Sequence, residues 1–279
     1  MPIQTTPNAI VYTEDMLTAE SVKNLAQSGF TTVIVGLFHV HSDGSLWYND
    51  SAVEASHATL ISSLKSTTGS KIEKVLISIG GGNWKGHPAS VSDSDYPAMK
   101  NTWITPAPRQ STTSQQNIVA FMQDARVDGL DLDYEPEETS FDVDFIIQIV
   151  QDISAQGFML TAAPYKHSDY THWQSVLEAC ATDAGNLFSW WNLQLYGGAD
   201  YENWYSKLSV VWASTGIQNA ELAQFLVPGY SLFCGDIPDN LIDLVKDHSA
   251  LNAAFIWKYD TIADCANAQA TYILQTVNS

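Results

Sequence analysis

A (β/α)8 barrel is the fold class this sequence predicts, and three observations predict it. Eight short, β-branched apolar runs recur along the chain, each four to seven residues long, the length of a buried parallel strand. An amphipathic stretch with helical spacing follows each run. No low-complexity block or linker interrupts the series, so the 279 residues read as one barrel domain spanning 1–279. On pattern alone, a doubly wound sheet is the runner-up.

The strands are read, in order, as Ala9–Tyr12, Thr32–Phe38, Lys74–Ile79, Gly129–Asp133, Met159–Ala163, Trp191–Leu195, Phe225–Gly229 and Ala253–Trp257. The helices are read as Leu17–Ser28, Val53–Lys65, Ser114–Arg126 (opened by a Ser cap), Phe141–Ala155, Asp169–Cys180, Tyr201–Ala213, Ile237–His248 and Ile262–Val277. The stretch Gly82–Thr113 is read as a long, helix-poor loop after the third strand. Its Trp84, His87 and Trp103 are expected to wall a cleft. In a barrel, functional residues gather at the C-terminal ends of the strands. The polar and aromatic residues there include Tyr12, Phe38, Gly80, Gly81, Glu135, Tyr165, Gln194, Tyr196 and Trp257.

Composition narrows the function classes. Twelve Lys and Arg stand against 31 Asp and Glu, a formal net charge of −19. Phosphate binding needs clustered basic residues, so a nucleic-acid partner and an anionic membrane surface are both disfavoured, and a neutral substrate fits better. No run of eighteen apolar residues predicts a membrane span. The acidic, lysine-poor composition suits a secreted protein, although the polar start Met1–Asn8 shows no signal peptide, which leaves a cytoplasmic location open. Cys180, Cys234 and Cys265 lack metal-type spacing and read first as buried thiols, with a Cys234–Cys265 bridge as the alternative. His39 and His41 have no carboxylate partner at helix or strand spacing, so they read as loop or core residues, and no metal or other cofactor is expected. Asn49-Asp50-Ser51 is a glycosylation sequon, relevant only to a secreted chain.

The run Asp128-Gly129-Leu130-Asp131-Leu132-Asp133-Tyr134-Glu135 carries the chemistry. Asp131, Asp133 and Glu135 are spaced by two, so a strand points them to one side, roughly 6–7 Å apart per step. Leu130 and Leu132 alternate against them toward the helices. Three carboxylates on one buried face cannot all ionise cheaply, so at least one holds a proton near neutral pH, which is what a general acid requires. A solvated acidic edge would not explain the interleaved leucines, and an EF-hand loop would need ligands across twelve positions between two helices.

This run resembles the fourth-strand signature of glycoside hydrolase family 18, the chitinases and endo-β-N-acetylglucosaminidases, of the form Asp-x-x-Asp-x-Asp-x-Glu. Further resemblances follow in family order: Ser78-Ile79-Gly80-Gly81 on strand three, Leu160–Pro164 (with Ala163) on strand five, Gln194-Leu195-Tyr196 on strand six and Trp257 ending strand eight. The resemblance implies that Glu135 protonates the glycosidic oxygen and that the substrate's own 2-acetamido group attacks the anomeric carbon. Asp133 would accept the acetamide N–H, turning between Asp131 and the substrate. Asp131 would share a proton with Asp133, and Tyr196 would donate to the acetamide oxygen. Tyr12, Phe38, Gly80, Gly81, Ala163, Gln194 and Trp257 would line the sugar site, with Trp257 as its hydrophobic floor. The glycines read either as small to allow close approach or as a turn at positive φ. Non-proline cis peptides would fall at Leu37–Phe38 and Trp257–Lys258.

The resulting expectation is a monomeric, endo-acting chitinase that takes a polysaccharide or oligosaccharide containing N-acetylglucosamine. Release of N-glycans from glycoproteins is the alternative within the class. A catalytically dead, lectin-like barrel is the alternative outside it, disfavoured because Glu135 and Asp133 are both present.

Overall fold

The computed structural model describes residues 8–49, 51–81, 92–136, 140–183, 185–217 and 222–279. Eight parallel strands form the barrel: β1 (Asn8–Thr13), β2 (Thr32–Val40), β3 (Lys74–Gly80), β4 (Gly129–Asp133), β5 (Met159–Ala162), β6 (Trp190–Gln194), β7 (Leu226–Ser231) and β8 (Ala253–Trp257). Each pairs with its sequence neighbours, and β1 closes the ring by pairing with β8 (Asn8 opposite Ala253) and with β2 (Ile10 opposite Thr32). The predicted (β/α)8 barrel is the observed fold, with every strand within a few residues of its expected place.

Alternation along the strands explains the two cores. Inward positions such as Ile10, Tyr12, Ile34, Leu76, Trp190, Val227, Ala253 and Phe255 fill the barrel. Outward positions such as Val33, Val35, Ile77, Leu130, Leu132, Leu193 and Ile256 pack under the helices. Phe255 fits inside because β7 offers a glycine opposite it: a Cβ on Gly229 would lie 1.9 Å from the Phe255 ring.

The helices are α1 (Ala19–Gln27), α2 (Ala55–Ser66), α3 (Ser92–Thr102), α4 (Ser114–Asp124), α5 (Val143–Ala155), α6 (Tyr170–Ala179), α7 (Tyr201–Val211), α8 (Leu241–Asp247) and α9 (Ala266–Thr276). Helix α3 corrects the sequence reading of 82–113 as helix-poor. Tyr96, Met99 and Trp103 are three and four apart and all buried, a helical stripe hidden by Pro97 and the surrounding Ser and Asp. Trp103 therefore does not wall a cleft. It is buried, donates from Nε1 to Asp152 Oδ2 at 2.7 Å and meets the Phe145 ring of α5 edge-on. Trp84 and His87 lie outside the described residues. The stretch read as one helix over Ile262–Val277 is broken into Tyr259–Ile262, Ala263–Cys265 and α9.

Cys234 and Cys265 form a disulfide with Cα atoms 5.7 Å apart, so the bridge is present and only Cys180 is a buried free thiol. Closing a loop across a sequence separation of 31 constrains the unfolded chain by roughly 3–4 kcal/mol in the chain-entropy picture. His39 has the carboxylate partner that local spacing does not reveal: Asp95 of α3, at 2.8 Å from Nδ1, both buried. His41 stacks on Trp47. Among the described residues, no group of three His, Cys, Asp or Glu is placed to hold a metal, and no helix is long and apolar enough to cross a membrane.

Candidate active site

The acidic run divides into separate environments. Asp128 sits before β4, at the N-terminal rim, where Lys65 Nζ contacts both of its oxygens at 2.8 Å and Val75 N–H donates to it at 2.7 Å. It takes no part in the cluster at the opposite rim.

Asp131 points into the barrel and is fully buried. Four neutral donors surround it: Tyr12 Oη at 3.0 Å, Ser78 Oγ at 2.8 Å, Thr161 Oγ1 at 2.5 Å and Asn192 Nδ2 at 3.2 Å. Asn192 is itself oriented by Trp190 Nε1, which donates to its Oδ1 at 2.9 Å. Burial pushes the Asp131 pKa up, while the hydrogen bonds from Thr161, Ser78, Tyr12 and Asn192 pull against that rise.

Asp133, one inward position further on, is 3% exposed and less well compensated. Gln194 Nε2 donates to its Oδ1 at 3.0 Å, and the same nitrogen donates to Glu135 Oε1 at 2.8 Å. Burial holds its pKa well above the ordinary carboxylate range, and the neighbouring charges of Glu135 and Asp131 raise it further. Glu135 lies just past the end of β4, half-buried. Its pKa is raised by burial, then drawn back by hydrogen bonds from Gln194, at 2.8 Å, and Asp133, and by the positive charge of Lys166. Held on one amide nitrogen, each carboxyl bears on the pKa of the other, so Asp133 and Glu135 titrate as a pair. Asp131, which the resemblance expects to share a proton with Asp133, faces four donors of its own.

Glycines let this cluster form. Gly80 and Gly81 have φ of 108° and 94°, in the left-handed region. A Cβ on Gly80 would lie 2.3 Å from the Asp133 carbonyl oxygen, and Gly81 N–H donates to that oxygen at 2.7 Å. Both readings of the pair therefore hold together: a turn that needs positive φ and a close approach to Asp133.

The remaining predicted residues divide. Gln194 is buried and uses one amide nitrogen toward Asp133, Glu135 and the carbonyl of Ala163, the last at 3.1 Å. Tyr196 follows β6 and is 38% exposed as a residue, while its phenol end reaches in far enough that burial, then Asp133, Glu135 and Asp131, raise its pKa well above the ordinary value. Its ring lies nearly parallel to Trp257, centroids 6.5 Å apart. Trp257 is half-buried and also contacts Tyr12. Tyr12 is 1% exposed and donates to Asp131 from inside the barrel. Phe38 does not join the cluster. It is buried under the helices, stacked on Tyr48 and tilted against Phe121 of α4. The cause is a register shift in β2 between Val35 and Phe38, which turns Phe38 outward and Leu37 toward Gly81. The cis peptide there is Gly36–Leu37, one residue earlier than expected, while Trp257–Lys258 is cis as expected.

Sequence reasoning left Ser78, Thr161, Asn192 and Leu37 without roles. The first three are polar residues at inward strand positions among apolar ones, the same period-two signal that exposed the carboxylates. Leu37 depends on the bulge, which leaves no mark in the pattern.

A scan of family models matches residues 8–227 to the glycosyl hydrolases family 18, and the chain belongs to that family. No curated protein sequence matches. Solved structures with the same fold include a family 18 chitinase from Pseudoalteromonas aurantia (17% identity, 96% of this chain and 99% of that one, TM-score 0.64). The catalytic domain of a hyperthermophilic chitinase from Pyrococcus furiosus covers all of this chain at 11% identity, with 98% of its own length covered and a TM-score of 0.65. A fungal endo-β-N-acetylglucosaminidase of family 18 matches at 18% identity over 97% of each chain, TM-score 0.57. The protein is a glycoside hydrolase.

Proposed function

We propose that the enzyme cleaves β-1,4 linkages of N-acetylglucosamine-containing glycans with retention, the substrate's 2-acetamido oxygen serving as nucleophile, and that chitin-type chains are its substrate. One observation carries the reading: a single amide nitrogen, Gln194 Nε2, donates to both Asp133 Oδ1, at 3.0 Å, and Glu135 Oε1, at 2.8 Å. A glycosidase that uses a protein nucleophile holds two carboxyls about 5–5.5 Å apart on opposite sides of the sugar. Two carboxyls gathered on one nitrogen lie side by side and do not flank a ring. Asp131 cannot take the place of the nucleophile either, because its oxygens are held by four donors inside the barrel. The nucleophile then has to come from the sugar, and only a 2-acetamido sugar carries one in place.

In this reading Glu135 delivers a proton to the leaving oxygen. Asp133 accepts the acetamide N–H as that group becomes more acidic during attack. Tyr196, its phenol held neutral, donates to the acetamide oxygen and sets its direction, and Trp257 covers the apolar face of the ring. The barrel 1–279 acts as one catalytic unit and as a monomer, without a resident metal.

Proton NMR of early products from a chito-oligosaccharide tests the route: the β-anomer is expected first, and cello-oligosaccharides should not be cleaved. An initial α-product would overturn it. The fungal endo-β-N-acetylglucosaminidase of the same fold motivates a second substrate arm, a high-mannose glycopeptide. Faster cleavage of that arm would move the substrate from chitin to N-glycans. Sugar binding with no turnover of either substrate would point to the lectin-like reading.

A further inference from the structure

We propose that Asn49 is a positioning residue, which from outside the carboxylate cluster fixes the apolar wall beside Asp133 and ties it to the strand end that carries Trp257. Asn49 follows the short strand Leu46–Tyr48, which pairs antiparallel with β2, and has φ of 49°, a left-handed conformation that Asn tolerates better than most residues. Its backbone N–H donates to Leu37 O at 2.9 Å, and its Oδ1 accepts from Leu37 N–H at 3.0 Å. One residue thus satisfies both backbone groups of Leu37 at the place where the β2 register shifts.

Leu37 in turn packs on Gly81. A Cβ built on Gly81 would lie 2.6 Å from Leu37 Cδ1 and 3.4 Å from Asp133 Oδ2, so the leucine end shields the same corner that Asp133 occupies. The second arm of Asn49 runs the other way. Its Nδ2 donates to Glu14 O at 2.6 Å, and the Glu14 carboxylate pairs with Lys258, the residue after Trp257. The ends of β1, β2 and β8 therefore meet at one half-buried amide.

The titratable groups that face the Asp133–Glu135 pair are Asp131, Tyr12 from β1, Tyr96 from α3 and Tyr196 after β6, with Lys166 and Asp169 beside Glu135. Asn49 carries no charge, so it reaches the pair through the packing of Leu37. Loosening that wall admits water to Asp133, and a better solvated carboxyl titrates lower.

The test is Asn49→Gly, which keeps the backbone conformation and removes both side-chain hydrogen bonds. The carboxyl ¹³C titration of Asp133 is expected to move down by about half a pH unit. The kcat on a chito-oligosaccharide should fall about tenfold with KM changed less than about twofold, because the geometry of the acid pair is disturbed and binding is not. The kinetic half rests on the proposed function; the titration does not, so a wrong substrate and a wrong role for Asn49 give different results. Leu37→Ala should reproduce the titration shift, and it serves alone if Asn49→Gly does not fold. Wild-type titration in the folded variants, with only a lowered Tm in Asn49→Gly, would overturn the proposal.

Discussion

Asp128 and Asp131 are three residues apart on one run, yet the two rims of the barrel treat them differently. At the N-terminal rim, Asp128 meets a lysine with about a third of each side chain in water. Inside the barrel, Asp131 meets four neutral hydrogen-bond donors and is fully buried. A third environment lies beyond it, where one Gln194 nitrogen holds Asp133 and Glu135 together and burial raises the pKa of both. The comparison teaches that the position of a carboxylate along the barrel axis decides its chemistry: solvated pair, fixed charge, then acid.

Four substitutions would break or sharpen this gradient. Glu135→Gln should have the largest effect, a fall in kcat on the order of 10³-fold with little change in Tm, checked by steady-state kinetics and calorimetry. Asp133→Asn should lower kcat on the order of 10²-fold. It should also alter the pH dependence of stability. Because the folded-state pKa of Asp133 is raised, its contribution is fully present below the ordinary carboxylate range and is lost as pH rises toward the folded value. The Tm of Asp133→Asn relative to wild type should therefore become more favourable as pH rises above about 4, the ordinary carboxylate range. Thermal scans showing the opposite slope would count against a raised Asp133.

Asp131→Asn should act mainly on stability, costing about 2–4 kcal/mol and several degrees in Tm, since an amide cannot accept from all four donors. Lys65→Met should be smallest, within about 1 kcal/mol and without effect on kcat/KM, as for other partly exposed ion pairs. Loss of activity in Lys65→Met comparable to that of Asp133→Asn would erase the distinction between the two rims.

Much of this was legible in the sequence, for a physical reason. Parallel strands buried on both faces read as continuous apolar runs, and polar residues on the inward register then stand out, which exposed Asp131, Asp133 and Gln194 together. Phe38 was misplaced because a bulge shifts alternation by one, and a single residue of shift exchanges the two faces. The His39–Asp95 pair was hidden because its partners are 56 residues apart, and the joining of Asp133 to Glu135 was hidden because the Gln194 nitrogen that holds both comes from β6. Helix α3 was legible in principle, but its Pro97 masked the Tyr96, Met99 and Trp103 stripe.

The donors around Asp131 come from β1, β3, β5 and β6, so its own strand and four others converge on a single side chain. Five of the eight barrel strands are thereby tied at one point, so a change in the seat of any one of them is felt by the carboxyl that stands directly beneath Asp133.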